Sequence, residues 1–255
     1  MPTQEKYMTM KLGKAPARKD KRTLQFSRYA TTQSLKTPSS AHWGHGLPFG
    51  MLGNDQYGDC VEAAYAHMLQ IWITRAGGSF TPDSTSVLNA YSALTGFSPG
   101  NPNTDRGTDM LSAANYWRAT GMNGHEIDAF LEVNPLRATD VKDAAYYYGG
   151  VNIGLQLPLA AQDQSSPEST WTVSTGAGSV AGSWGGHCVP VCGFDKNTLW
   201  VVTWGYIQAM TWDFFTTYCD EAFVFLSHDW IENTGKSPSG LAWGVLMADL
   251  ANLGH

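Results

Sequence analysis

Gly53-Asn54-Asp55-Gln56-Tyr57-Gly58-Asp59-Cys60-Val61-Glu62-Ala63-Ala64 runs from a glycine-punctuated loop into a helical repeat. Val61, Ala64, Tyr65, Met68, Ile71 and Trp72 recur at helical spacing until Gly77-Gly78 ends the run, so Cys60 opens a buried helix. A helix N-terminus offers unpaired N–H groups and positive potential, and both favour thiolate over thiol. Asp59, directly before the sulfur, opposes that charge unless it turns away or caps the helix.

Working outward, the first half reads as helical. Further helices are expected over 84–94, from Asp109 to near Gly121, and over 140–148. The second half consists of short β-type runs at 151–155, 189–194, 199–203 and 222–226, and an amphipathic stretch at 241–253 packs back on the body. Helices first and strands afterwards give an α+β fold. Within the β half, Gly182-Ser183-Trp184-Gly185-Gly186-His187-Cys188-Val189 sets a histidine at the start of a strand, where two glycines leave the ring uncrowded. A cysteine and a histidine brought together can exist as thiolate and imidazolium near neutral pH, and the histidine can then protonate a leaving amine.

Charge is unevenly placed. Nine of the 16 Lys and Arg lie in the first 36 residues against Glu5 and Asp20, a formal +7 that leaves −13 on the rest of a chain whose net charge is −6. Leu24-Gln25-Phe26-Ser27-Arg28-Tyr29 alternates and suits one added strand; otherwise residues 1–46 read as an extended basic arm without a core of its own. Such an arm has three candidate partners: nucleic acid, an acidic protein, or a sister subunit in a homo-oligomer or larger assembly. The four cysteines show no zinc-type spacing, and a chain of 255 residues needs no disulfide staples. Cys188, Cys192, Cys219 and His67 read as packing residues. No metal or other cofactor is expected. The start lacks the apolar run of a secretory signal, which points to the cytoplasm of a bacterial host or to a virion, with no membrane partner.

As an ordered set, these segments resemble the papain superfamily of cysteine peptidases in the form found in bacterial and phage proteins. The likeness covers about 47–230, between the arm and a C-terminal segment of residues 231–255. Asp105-Arg106-Gly107 through Tyr116 echoes the family's glycine-rich loop and helix, and Gly149-Gly150-Val151 echoes its Gly-Pro-Val strand. The Gly186-His187-Cys188-Val189 and Val202-Thr203-Trp204-Gly205 runs echo its histidine strand and its Asn-Ser-Trp-Gly strand. The resemblance implies a two-subdomain fold, a cleft, Cys60 as nucleophile and His187 as its base. The family orients its histidine with an Asn two residues before the Trp, where this chain has Val202; counting sixteen residues on from His187 gives Thr203 instead. For the oxyanion, the family's Gln position holds Asn54, with Gln56 as the alternative.

Two functions are compatible with these residues. One is a cysteine peptidase or amidase acting on a peptide or protein. The other is a papain-fold structural or assembly protein, such as a virion component, that grips its neighbours with the arm.

Overall fold

The computed structural model describes residues 10–30 and 36–252; Glu5, Lys6, Leu253 and His255 lie outside them. Among the described residues, the chain builds a helical half and a β half that meet along one helix and one strand. The helical half holds α2 (Cys60–Arg75), α3 (Ser84–Thr95) and α4 (Met110–Thr120). Asp83 and Asp109 cap α3 and α4 by accepting the N–H of Ser86 and Ser112. Asp59 stands at the equivalent place before α2, yet its side chain makes no cap.

Every residue of α2 from Cys60 through Trp72 is buried. One side packs with Trp117 and Phe225, with Trp72 and Trp117 stacked at 5.6 Å. The other side lies on β6 (Gly185–Phe194), the strand of His187. A helix that starts at Cys60 and a strand that starts two residues before His187 therefore converge at one end.

The sheet has nine strands among the described residues. β4 (Val151–Leu157), β6, β7 (Thr198–Thr203) and β8 (Tyr206–Thr211) are sequential antiparallel neighbours, and β9 (Cys219–Leu226) flanks β4 on its other edge. β3 (Ala129–Glu132) continues the sheet beyond β9 and pairs in parallel with β1 (Leu24–Gln25). The two-residue strands β2 (Ala41–His42) and β5 (Thr170–Trp171) pair with β6 and β8. Leu155 and Val191 on the sheet pack with Trp171, Phe214 and the C-terminal helix (Trp243–Asn252) in the second large core.

The arm differs from its sequence reading. Within the run Leu24–Tyr29 only Leu24 and Gln25 form a strand; Phe26–Ala30 is a short helix, α1, because Phe26 and Tyr29 lie three apart and bury on one face. Its charges meet the chain's own acidic body: Arg18 pairs with Asp109 at 3.3 Å, and Lys19 pairs with Glu132. No helix among the described residues is long and apolar enough to cross a membrane.

Candidate active site

Cys60 is the first residue of α2, and its side chain is buried. Its sulfur accepts the backbone N–H of Cys188 from the β half and of Gly13 from the arm. Burial pushes the thiol up to about 12, the nearby Glu62 and Asp59 carboxyls add to this, and the two N–H groups only partly offset it. His187 donates or accepts at Nε2 with Thr203 Oγ1, 2.8 Å away, and its ring stacks on Trp204 with centroids 4.6 Å apart and planes 15° apart. Nδ1 is buried with no hydrogen-bond partner. Burial drives the imidazole down to about 3, so the ring is neutral here and the sulfur is a thiol.

Cys60, His187, Asn54, Thr203 and Trp204 line one cavity of about 10 Å³, roughly the volume that one water centre needs. Gln56 is elsewhere: it is exposed and lines a separate depression with Tyr57 and Leu88. Asn54 is buried, and its Nδ2 donates to Tyr57 O at 3.1 Å, a bond it gives up to serve an oxyanion. Cys192 packs with Ile71 and Val202, and Cys188 with the α2 core. No group of three His, Cys, Asp or Glu among the described residues is arranged to hold a metal ion.

The cavity is small because the arm fills the cleft. Gly13 O accepts Thr108 N–H at 2.8 Å, Lys14 N–H donates to Gly186 O at 3.0 Å, and Ala15 N–H donates to Thr108 O at 2.9 Å. On the other side Lys11 N–H reaches Asn54 O, and Trp204 Nε1 donates to Lys11 O, both at 3.3 Å. The approach at the sulfur tolerates no side chain, since a Cβ on Gly13 would lie 1.8 Å from Gly58 O. One residue further on, Lys14 runs its stem across Gly154, where a Cβ would stand 2.1 Å from Lys14 Cε. The Lys14 ammonium, whose side chain is completely buried, ends 3.0 Å from Asp220 and 2.9 Å from Glu221. Burial works against its charge, but Glu221 and Asp220 outweigh that and raise the lysine. Sequence reading missed this pair; nothing in a basic run points to a particular carboxylate 206 residues away.

Two carboxyls beside the nucleophile carry a pH signature. Burial pushes Asp59 and Glu62 each up to about 8. The folded chain thus keeps two protons that the unfolded chain loses near its ordinary carboxyl values, and stability falls as pH rises to about 8. His67 and His187, held neutral down to about 4 and about 3, act oppositely, but only below their ordinary value of 6.5. Between pH 6.5 and 8 the carboxyl effect acts alone. Urea unfolding should show stability declining across that window by about 1.4 kcal/mol per pH unit for each retained proton. Glu62→Gln should roughly halve the slope.

No family model matches the chain, and no curated protein matches it. Solved structures do. Xylellain, a cysteine protease from Xylella fastidiosa, superposes with a TM-score of 0.67 at 15% identity, covering 86% of this chain and 97% of that one. Procathepsin L2 proteinase from the Tenebrio molitor larval midgut matches at 0.60 and 14% identity over 88% and 80% of the two chains. The Carica candamarcensis cysteine protease CMS1MS2, solved with E-64, matches at 0.55 and 13% identity over 74% and 99%. With helical and β halves meeting at Cys60 and His187, and with these structures superposing along most of its length, this chain has the papain-like cysteine protease fold.

Proposed function

We propose that the protein is a cysteine hydrolase of peptide or other amide bonds, held closed by its own N-terminal arm. The observation that carries this reading is the state of His187: Nε2 is fixed by Thr203 Oγ1, while Nδ1 is left without a partner in the cavity that Cys60 lines. A ring held at one nitrogen and free at the other is placed to exchange a proton with a sulfur.

When the arm leaves, Cys60 loses the Gly13 N–H and the cleft gains water. Both sulfur and ring are then solvated, and desolvation, the main cause of both shifts, is relieved. Proton transfer from Sγ to His187 Nδ1 becomes accessible. The thiolate adds to the substrate carbonyl carbon, and the oxyanion is met by the Cys60 backbone N–H and a freed Asn54 amide. The imidazolium gives its proton to the leaving nitrogen as the C–N bond breaks. Water then attacks the thioester, releases the acid and returns the proton to sulfur. In the closed state the arm is not cut, because Gly13 presents its N–H to the sulfur and turns its carbonyl to Thr108.

Thr203 contributes orientation and no charge. Thr203→Val, close in shape, should lower kcat about 10-fold through loss of one hydrogen bond, whereas Thr203→Asn should retain or raise it. Equal kcat in all three chains would remove Thr203 from the mechanism. The reading as a whole is tested by incubating an arm-released variant with a casein or peptide-library substrate: cleavage lost in Cys60→Ala and His187→Ala supports it, and absence of any cleavage counts against it. The assembly or virion reading gains no support from the fold or from the similar structures, and residues 10–30 are spent on the chain's own body.

A further inference from the structure

The Lys14 pocket lies one residue from the sulfur contact and is built as a receptor for a primary ammonium. Its floor is backbone at Gly154, its end is Glu221, fully buried, and its rim is Asp220, which also takes the Gln156 amide at 2.6 Å. The ammonium donates to Asp220 at 3.0 Å and to Ala15 O at 3.2 Å. Both Glu221 oxygens are buried without a hydrogen bond, the lysine is its ion-pair partner, and burial raises its carboxyl despite that cation. Two acidic side chains around a slot that admits an unbranched stem impose a demand on whatever replaces the arm.

We propose that Glu221 and Asp220 form a specificity subsite for a lysine side chain next to the scissile residue, and that Lys14 is its resident mimic. This rests on the hydrolase reading for its catalytic consequence, but the pocket itself can be tested apart from Cys60. A norleucine in the slot leaves Glu221 buried and unpaired, and an arginine brings a planar, wider head to a site shaped around a stem and a point charge.

The experiment uses the full chain carrying Lys14→Ala, which vacates the pocket. First, thermal unfolding is followed with butylammonium chloride or with butanol. Butylammonium should raise the midpoint by several degrees more than butanol, and Glu221→Gln or Asp220→Asn in the same background should erase the difference; no difference between the two ligands overturns the subsite. Second, Cys60 alkylation is measured by peptide mapping with acetyl-lysyl-glycyl, acetyl-arginyl-glycyl and acetyl-norleucyl-glycyl chloromethyl ketones, and with iodoacetamide. The lysyl probe should react at least tenfold faster than the norleucyl one and faster than the arginyl one. Equal rates for the three, with rapid iodoacetamide labelling, overturn the subsite and leave the hydrolase reading standing. Failure of all four reagents at Cys60 overturns the hydrolase reading, and the butylammonium result then decides the pocket alone.

Discussion

Lys14→Glu is expected to eject the arm from the cleft. The substitution replaces a buried cation by a third carboxylate between Asp220 and Glu221, at a point where Lys14 and Glu221 are sealed from solvent. Removing one partner of a buried ion pair typically costs about 3–5 kcal/mol because the other charge is stranded, and here like-charge repulsion is added. The three backbone bonds at Gly13, Lys14 and Ala15 contribute about 0.5–1.5 kcal/mol each, so they do not hold the arm against that cost. Limited proteolysis should cut within residues 10–20 of the variant and spare the wild type, while the body stays resistant. Lys14→Met with Glu221→Leu should restore protection, since an apolar pair of similar volume fills the slot and the remaining carboxylate, Asp220, is partly exposed and keeps the Gln156 amide. Equal protection of Lys14→Glu and wild type would show that the arm is held by something other than this pair.

A second large effect follows at the sulfur. With its thiol pushed up to about 12 and the arm over it, wild-type Cys60 should be alkylated by iodoacetamide more slowly than free cysteine. Restoring an ordinary cysteine–histidine pair lowers the thiol to about 7 or below, raising the thiolate fraction at neutral pH by up to ~10⁵; the weaker nucleophilicity of a low-pKa thiolate takes back ~10² of this. Lys14→Glu should therefore accelerate alkylation of Cys60 by about 10²–10³, read by mass spectrometry of its peptide. Gly13→Val, which collides with Gly58 and leaves Lys14 intact, should give the same direction by an independent route.

Much of this site is legible in the amino-acid sequence alone. The periodicity after Cys60 survives folding because α2 is buried nearly all round, and the glycines before His187 mark where the arm's backbone lies, a Cβ on Gly186 standing 2.2 Å from Lys14 O. Thr203 is reachable by counting from His187 and stands 2.8 Å from its ring. Asp59 does turn from capping, but it is neutralised by burial, which no local pattern announces. β8 is hidden from a pattern reading because Gln208 occupies a fully buried position: its amide donates to Ser169 O and its oxygen accepts Ser166 N–H, a tertiary solution that interrupts the apolar alternation. The arm's role is hidden for a related reason. Coulomb attraction between an arm and a body follows from their charges, whereas insertion into the cleft depends on Gly13 and Gly154 being small at the points of closest approach.

The central claim is that Cys60 and His187 act as one unit once the arm is lifted. The most direct test is the rate of Cys60 alkylation against pH in Lys14→Glu, with and without His187→Ala. The account predicts a reactive plateau reaching well below pH 7 that His187→Ala abolishes, leaving only the rise of an ordinary thiol at higher pH. Superimposable profiles in the two chains would contradict it.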